Sequence, residues 1–194
     1  MKQQLQRNNM KKTLIIIGVI VLVVLGYGVF TYNSLVTLST SADAQWKQVE
    51  VEYQRRFDLI PNLVESVKGV MTQEQKVFSA LAEARTRYTG ATTPSEKARA
   101  ASSVESALGR LLVVTENYPT LKSSDAVQSL MISLEGSENR VSVERSRYND
   151  VVRSYNLKVS KVPSSLVARM FHFAKRSYFN SAPAAKEAPK VNLK

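Results

Sequence analysis

The chain has 194 residues, a formal charge of +11, no Cys and a single His, His172. The absent cysteines exclude disulfides and thiolate metal sites, and one histidine leaves little for metal binding or general-base chemistry. The positive charge is scattered among acids, as in Glu50–Glu52–Arg55–Arg56 and Glu144–Arg145–Arg147–Asp150, with no basic block interleaved with stacking aromatics, so no nucleic-acid partner is expected.

Residues 1–12 form a polar, basic flank with Lys2, Arg7, Lys11 and Lys12, and Met10 is a possible alternative start. Thr13–Tyr32 follows as 20 almost uninterrupted apolar residues. At about 1.5 Å per residue that length crosses a hydrocarbon core of about 30 Å. Tyr27, Phe30 and Tyr32 gather at its far end, where interfacial aromatics belong. A cleavable signal peptide is the competing reading, through Ala42-Asp43-Ala44, but that site lies well past the apolar run. A retained signal anchor is therefore expected. Four basic residues precede the span and only Lys47 follows within twenty residues, which predicts a cytoplasmic N-terminus and an extracytoplasmic bulk.

Beyond a short bridge at 34–40, Ser41 or Asp43 is expected to cap a long helix reaching Tyr88. Trp46, Val49, Tyr53, Ile60, Leu63, Val67, Val70, Val77, Leu81, Ala84 and Tyr88 keep 3–4 spacing along one line, the seam of a packed helix. Arg56 and Glu74 are charges on that line, and Pro61 should kink it. Gly90 marks the end. Thr93 reads as N-cap and Pro94 as first residue of a second helix, with Ala101, Val104, Leu108, Leu111, Thr115 and Tyr118 on its seam. That helix should stop at Tyr118-Pro119.

Ser124 or Asp125 should cap a third helix whose seam is Val127, Met131, Leu134, Glu138, Val141, Arg145, Tyr148, Val152, Tyr155 and Val159, ended by Val162-Pro163. Residues 164–179 fit a short amphipathic helix. It would carry Leu166, Val167, Met170, Phe171, Ala174 and Tyr178 on one side and Arg169, Lys175 and Arg176 on the other. Residues 181–194, rich in Ala, Pro and Lys, should be disordered. The predicted fold is all-α: a transmembrane helix, then an antiparallel bundle of three long helices over 41–180, closed by a short C-terminal helix.

The run Gln54–Gly69, QRRFDLIPNLVESVKG, resembles the signature of the LemA family of bacterial membrane-anchored helical proteins. Trp46, Ala84-Arg85, Glu116–Pro119, Glu138-Asn139, Arg145–Asp150, Tyr155-Asn156 and Pro163 extend the resemblance, in family order, to about Phe179. Gln73 stands where members often carry His, and Val162 where Phe is commoner. The resemblance implies a terminal helix docked on the bundle; it implies no particular activity.

Arg56, Glu74, Glu138 and Arg145 are expected to form a structural polar seam fixing helix register, the alternative being a polar site inside the bundle. Glu-x-x-His pairs for a di-metal site are absent from the sequence, as are phosphate loops and zinc motifs, so no metal, cofactor or small-molecule substrate is assigned. A Ser-His-Asp arrangement would rest on His172, which reads instead as a polar-face residue of the terminal helix. Around the proline, Arg55, Asp58, Pro61 and Asn62 are candidates for a partner surface, although Asn62 also suits a local bond to the carbonyl that Pro61 frees. Tyr148-Asn149 and Tyr155-Asn156 recur seven apart. Their tyrosines fall on the seam with hydroxyls to satisfy, and Asn149 and Asn156 lie beside it as further partner-surface candidates. An exposed aromatic ladder is the other reading. Together these features predict a non-catalytic scaffold or interaction module of the cell envelope, anchored in the inner membrane through 13–32, with a protein partner or self-association. The alternatives are an enzyme with an unrecognised polar site, or membrane-surface remodelling by the basic C-terminal helix.

Overall fold

The computed structural model describes residues 2–179. Among them there are seven helices and no strand: α1 (Lys2–Asp58), α2 (Ile60–Lys68), α3 (Gln75–Gly90), α4 (Pro94–Thr115), α5 (Pro119–Lys122), α6 (Asp125–Ser160) and α7 (Ser164–Met170).

Helix α1 runs unbroken through the expected start at Ser41 or Asp43. The Ser41 hydroxyl, expected as a cap, bonds backwards instead, as does that of Thr37. Thr37 donates to the Asn33 carbonyl at 2.9 Å and Ser41 to the Thr37 carbonyl at 2.8 Å, a mid-helix habit of these residues. The apolar stretch and residues 33–58 therefore share one helix.

The predicted helix over 41–88 is three pieces. Pro61 has no N–H to return to the Phe57 carbonyl, and the chain accommodates it by closing α1 at Asp58 and placing the proline in the first turn of α2. A turn at 69–74 then reverses the chain, with the Met71 N–H on the Val67 carbonyl at 2.9 Å and Met71 wholly buried. Periodicity conceals this turn, because Val67, Met71, Phe78 and Leu81 keep 3–4 spacing straight across it. Val70 is exposed and Val77 only half-buried, whereas Phe57, Met71 and Phe78 fill the core in their place.

The described chain falls into two compact units: the start of α1 through Asp43 with Val151–Arg176, and Ala44–Asp150 with the segment from Ser177. In the second unit the last turns of α1, then α3, α4 and α6 form an antiparallel four-helix arrangement. Its sense follows from the pairings. Gln45, Glu52 and Arg56 of α1 meet Glu144, Arg140 and Glu138 of α6, ascending against descending. Tyr53 and Asp58 meet Tyr88 and Arg85 of α3. The Tyr118 hydroxyl, just past α4, reaches Glu74, just before α3, at 3.4 Å. The predicted three-helix bundle gains a fourth member because its first helix folds on itself. Thr93 caps α4, accepting from the Glu96 N–H at 3.2 Å while the Glu96 carboxylate takes the Thr93 N–H at 3.0 Å.

In the first unit, α7 and the chain after it pack on α1 and the end of α6 through Leu35, Tyr155, Val167 and Ala168, flanked by Leu38, Val159 and Phe173. The expected helix over 164–179 ends at Met170. His172 takes a left-handed backbone, φ 59°, a conformation that costs a β-carbon-bearing residue energy and here turns the chain out of the helix. Residues 173–179 then run as a non-helical strap. The division of faces also differs from the expectation: Val167 and Ala168 face the core while Leu166, Met170 and Phe171 are exposed. The tail expected to be disordered lies outside the described residues.

Candidate functional site

Two polar constructions occupy the interior. The first, in the second unit, is built on the seam charges. Arg56 is buried and its guanidinium donates to Glu138, whose own side chain is 42% exposed. Arg145 lies 3.7 Å from Glu105 of α4, with its guanidinium 4.6 Å over the Phe179 ring. Glu74 stands apart at the N-cap position of α3, near the Tyr118 hydroxyl. Sequence reasoning missed Glu105, although 101–105–108 (steps of 4 and 3) fits a helical seam as well as 101–104–108 (steps of 3 and 4).

Burial pushes the Glu105 carboxyl up, as does the nearby Glu138 charge, against the pull of Arg145 and Arg56. Tyr53 lies against Glu105, and burial raises its hydroxyl well above the ordinary phenol range. Arg56 Nε has no hydrogen-bond partner among the described residues, and the Tyr53 hydroxyl approaches the Glu105 carboxylate without reaching full hydrogen-bond geometry. Unsatisfied buried groups carry a desolvation cost, so Tyr53→Phe should leave stability unchanged or raise it by about 1 kcal/mol in chemical denaturation. A loss of that size would show that the hydroxyl has a partner in solution.

Glu105 also sets a pH dependence. Its folded pKa is raised, so its contribution to stability is complete below the unfolded carboxyl value and is lost as pH rises through the folded one. Glu105→Gln cannot titrate. Compared with the variant, the native chain should lose ground as pH rises above the ordinary carboxyl range, read as a pH-dependent change in the difference of urea midpoints. A constant difference would remove Glu105 from that role. Nearby, burial alone would raise Glu50, but hydrogen bonds from Lys47 and Lys97 outweigh it and hold the carboxyl below its usual range. Burial, helped by Glu50, pushes Tyr88 up to about 12.

The second construction uses the Tyr-Asn repeat of α6. In the first unit the Tyr155 hydroxyl donates to the Ala174 carbonyl at 2.9 Å. Asn156 clamps Arg176 from both sides, its amide donating to the Arg176 carbonyl and its oxygen accepting the Arg176 N–H, each at 2.9 Å. In the second unit Tyr148 donates to the Ser177 carbonyl at 3.4 Å, and Asn149 clamps Phe179 at 3.0 and 2.7 Å. The step between repeats is seven residues on the helix and three on the strap. Each Tyr-Asn pair thus satisfies main-chain groups of the non-helical strap in its own unit. These bonds explain why residues 173–179 need no helix. Asn156→Ala should speed hydrogen exchange at the Arg176 amide about tenfold or more, and Asn149→Ala should do so at Phe179. Unchanged protection would mean that the clamps do not hold the strap.

Arg55, Asp58, Pro61 and Asn62 are all exposed at the α1–α2 junction. Arg55 pairs with Glu52 at 2.8 Å, and Asp58 accepts from Gln54 at 2.7 Å and lies 3.9 Å from Arg85. The Asn62 carbonyl accepts the Ser66 hydroxyl at 2.8 Å. An open cleft of about 330 Å³ lies between α3 and α4, lined by Ala80, Ala84, Ser103, Ser106, Arg87 and Arg110 among others; Arg87 is engaged with Glu83 at 3.0 Å. Among the described residues no group of three His, Cys, Asp or Glu converges to hold a metal ion.

An all-helical chain whose first helix is long and apolar enough to cross a bilayer, and whose polar interior binds its own helices and strap, defines a membrane-associated helical-bundle protein. The chain belongs to the LemA family: the sequence model of that family matches residues 45–193. The magnetosome proteins MamQ 2 and MamQ 1 of Paramagnetospirillum magneticum are each 30% identical to it over 179 residues, covering 79% of this chain. The magnetosome protein MamQ of Magnetospirillum gryphiswaldense is 28% identical over 182 residues. The chain spans 66% of the length of these relatives.

Proposed function

We propose that this chain is a non-catalytic scaffold or interaction module of the cell envelope. Residues 13–32 anchor it in the inner membrane as a single span, with the N-terminus cytoplasmic and the domain over 41–180 outside. The observation that carries the reading is the use of the interior polar groups. Arg56, Glu138, Arg145 and Glu105 engage one another, and Asn149, Asn156, Tyr148 and Tyr155 engage the strap, all structural tasks. The exposed Arg55, Asp58, Pro61 and Asn62 then serve as the partner surface. Likeness to magnetosome proteins supports a membrane-associated, non-enzymatic role.

Two measurements test this. Protease added to intact spheroplasts should digest the bundle; digestion only after lysis would reverse the orientation. A photo-crosslinking residue at Asp58 or Asn62, in the full-length chain in cells, should yield discrete adducts with a protein partner or a second copy. Without adducts at either position, the proposed surface would fail. If Glu105→Gln and Tyr53→Phe chains fold and reach the membrane but lose a cellular phenotype, the enzyme reading would take its place.

A further inference from the structure

The first unit exposes a group of large apolar side chains. Val162 is 81% exposed, Leu166 63%, Met170 64% and Phe171 48%. Leu166 and Met170 are four apart on α7, so they share one face, while Val167 and Ala168 use the other to dock on the core. A soluble surface rarely gathers such residues without something to cover them.

Their position identifies the cover. Tyr32, the last residue of the apolar stretch, holds Phe171 with ring centroids 4.7 Å apart and Phe173 at 5.8 Å. Lys158 sits 5.8 Å over the ring of Phe30. These contacts tie the α6–α7 turn to the aromatic end of the span, the level at which a bilayer passes from hydrocarbon to headgroups. The charge there is of one sign. Between Val151 and Phe179 the chain carries Arg153, Lys158, Lys161, Arg169, Lys175 and Arg176 and no Asp or Glu. Arg176 is held by Asp43 at 2.6 and 3.0 Å, but Lys161, Arg169 and Lys175 are exposed around the apolar group.

We propose that the α6–α7 turn is a second membrane contact. Val162, Leu166, Met170 and Phe171 seat in the headgroup layer beside the span, and Lys158, Lys161, Arg169 and Lys175 favour anionic lipid. Apolar insertion with a basic rim is how interfacial segments bind. The seat fixes the roll and tilt of α1 in the bilayer, which one helix alone cannot do. This inference rests on reading 13–32 as the span.

The absence of cysteine permits single-cysteine labelling of the full chain. Leu22→Cys, Ser41→Cys, Leu166→Cys and Met170→Cys chains would carry an environment-sensitive fluorophore. Each would be placed in nanodiscs of phosphatidylcholine with or without phosphatidylglycerol, and quenched by lipids bearing nitroxides at shallow or deep positions. Ser41 is exposed and lies about 13 Å along the helix beyond Tyr32, so it reports water. The expected result is deep quenching at Leu22, only weak background quenching at Ser41, and shallow quenching at Leu166 and Met170 about threefold above that background, larger with phosphatidylglycerol. Deep quenching at Leu22 with Leu166 and Met170 as unquenched as Ser41 would overturn the seat while leaving the anchor standing. Equal quenching in both lipids would overturn the anionic preference. Loss of quenching at Leu22 would remove the anchor, and the seat with it.

Discussion

Replacing Phe179 with Ala is expected to destabilise the full-length protein by about 3–5 kcal/mol. The ring is buried at the end of the strap, where no helical hydrogen bond holds it. It stacks on Trp46 at 5.7 Å and Tyr53 at 6.2 Å, meets the edge of Tyr148 at 6.4 Å, and carries the Arg145 guanidinium on its face at 4.6 Å. Deleting it removes apolar burial, leaves a cavity among three aromatics, and withdraws a cation–π partner from a half-buried charge. The clamp from Asn149 reaches only the main chain of Phe179, so it persists in the variant and cannot refill the space. Denaturant unfolding in detergent checks the prediction, with Phe179→Leu expected to recover roughly half of the loss. A cost below about 1 kcal/mol would mean that the strap does not close this core.

Glu138→Ala is the second large effect, expected at about 2–3 kcal/mol. Removing one partner of a buried ion pair costs about 3–5 kcal/mol because the other charge is left in a poor environment. Here Arg56 is the buried member, while the Glu138 side chain is 42% exposed and water already screens the pair, which lowers the figure. The same physics predicts that Arg56→Met with Glu138→Leu regains most of the loss, since an apolar pair of similar size has no charge to desolvate. A double-mutant cycle reads this directly. If Glu138→Ala costs less than about 0.5 kcal/mol, the pair is dispensable for the fold.

Both effects fall on residues whose importance was unevenly visible beforehand. Glu138 and Arg56 stood out because a charge on an apolar seam violates the local pattern. Phe179 gave no such signal: it was the last residue of an expected amphipathic helix, and only the strap brings it onto Trp46. Glu105 was hidden by a tie, since Val104 and Glu105 fit the seam equally well and the apolar residue was taken for it.

What the residues by themselves determined is everything that depends on short-range periodicity and composition. The 20-residue apolar span, the Thr93-Pro94 start of α4, the long α6 seam from Val127 to Val159 and the all-helical class belong there. These follow from interactions within about one heptad, which a linear pattern records. Tertiary structure decided the rest. The turn at 69–74 leaves no mark on a 3–4 seam that continues in phase across it, so whether the chain runs on or folds back depends on what Met71 and Phe78 find to pack against. The end of α7 was likewise settled at a distance. A segment with helical periodicity became a strap because Tyr148, Asn149, Tyr155 and Asn156 offered its main chain hydrogen bonds from another element. A linear pattern lacks that information, because the satisfaction of a backbone N–H by a side chain some thirty residues away exists only once the chain has folded.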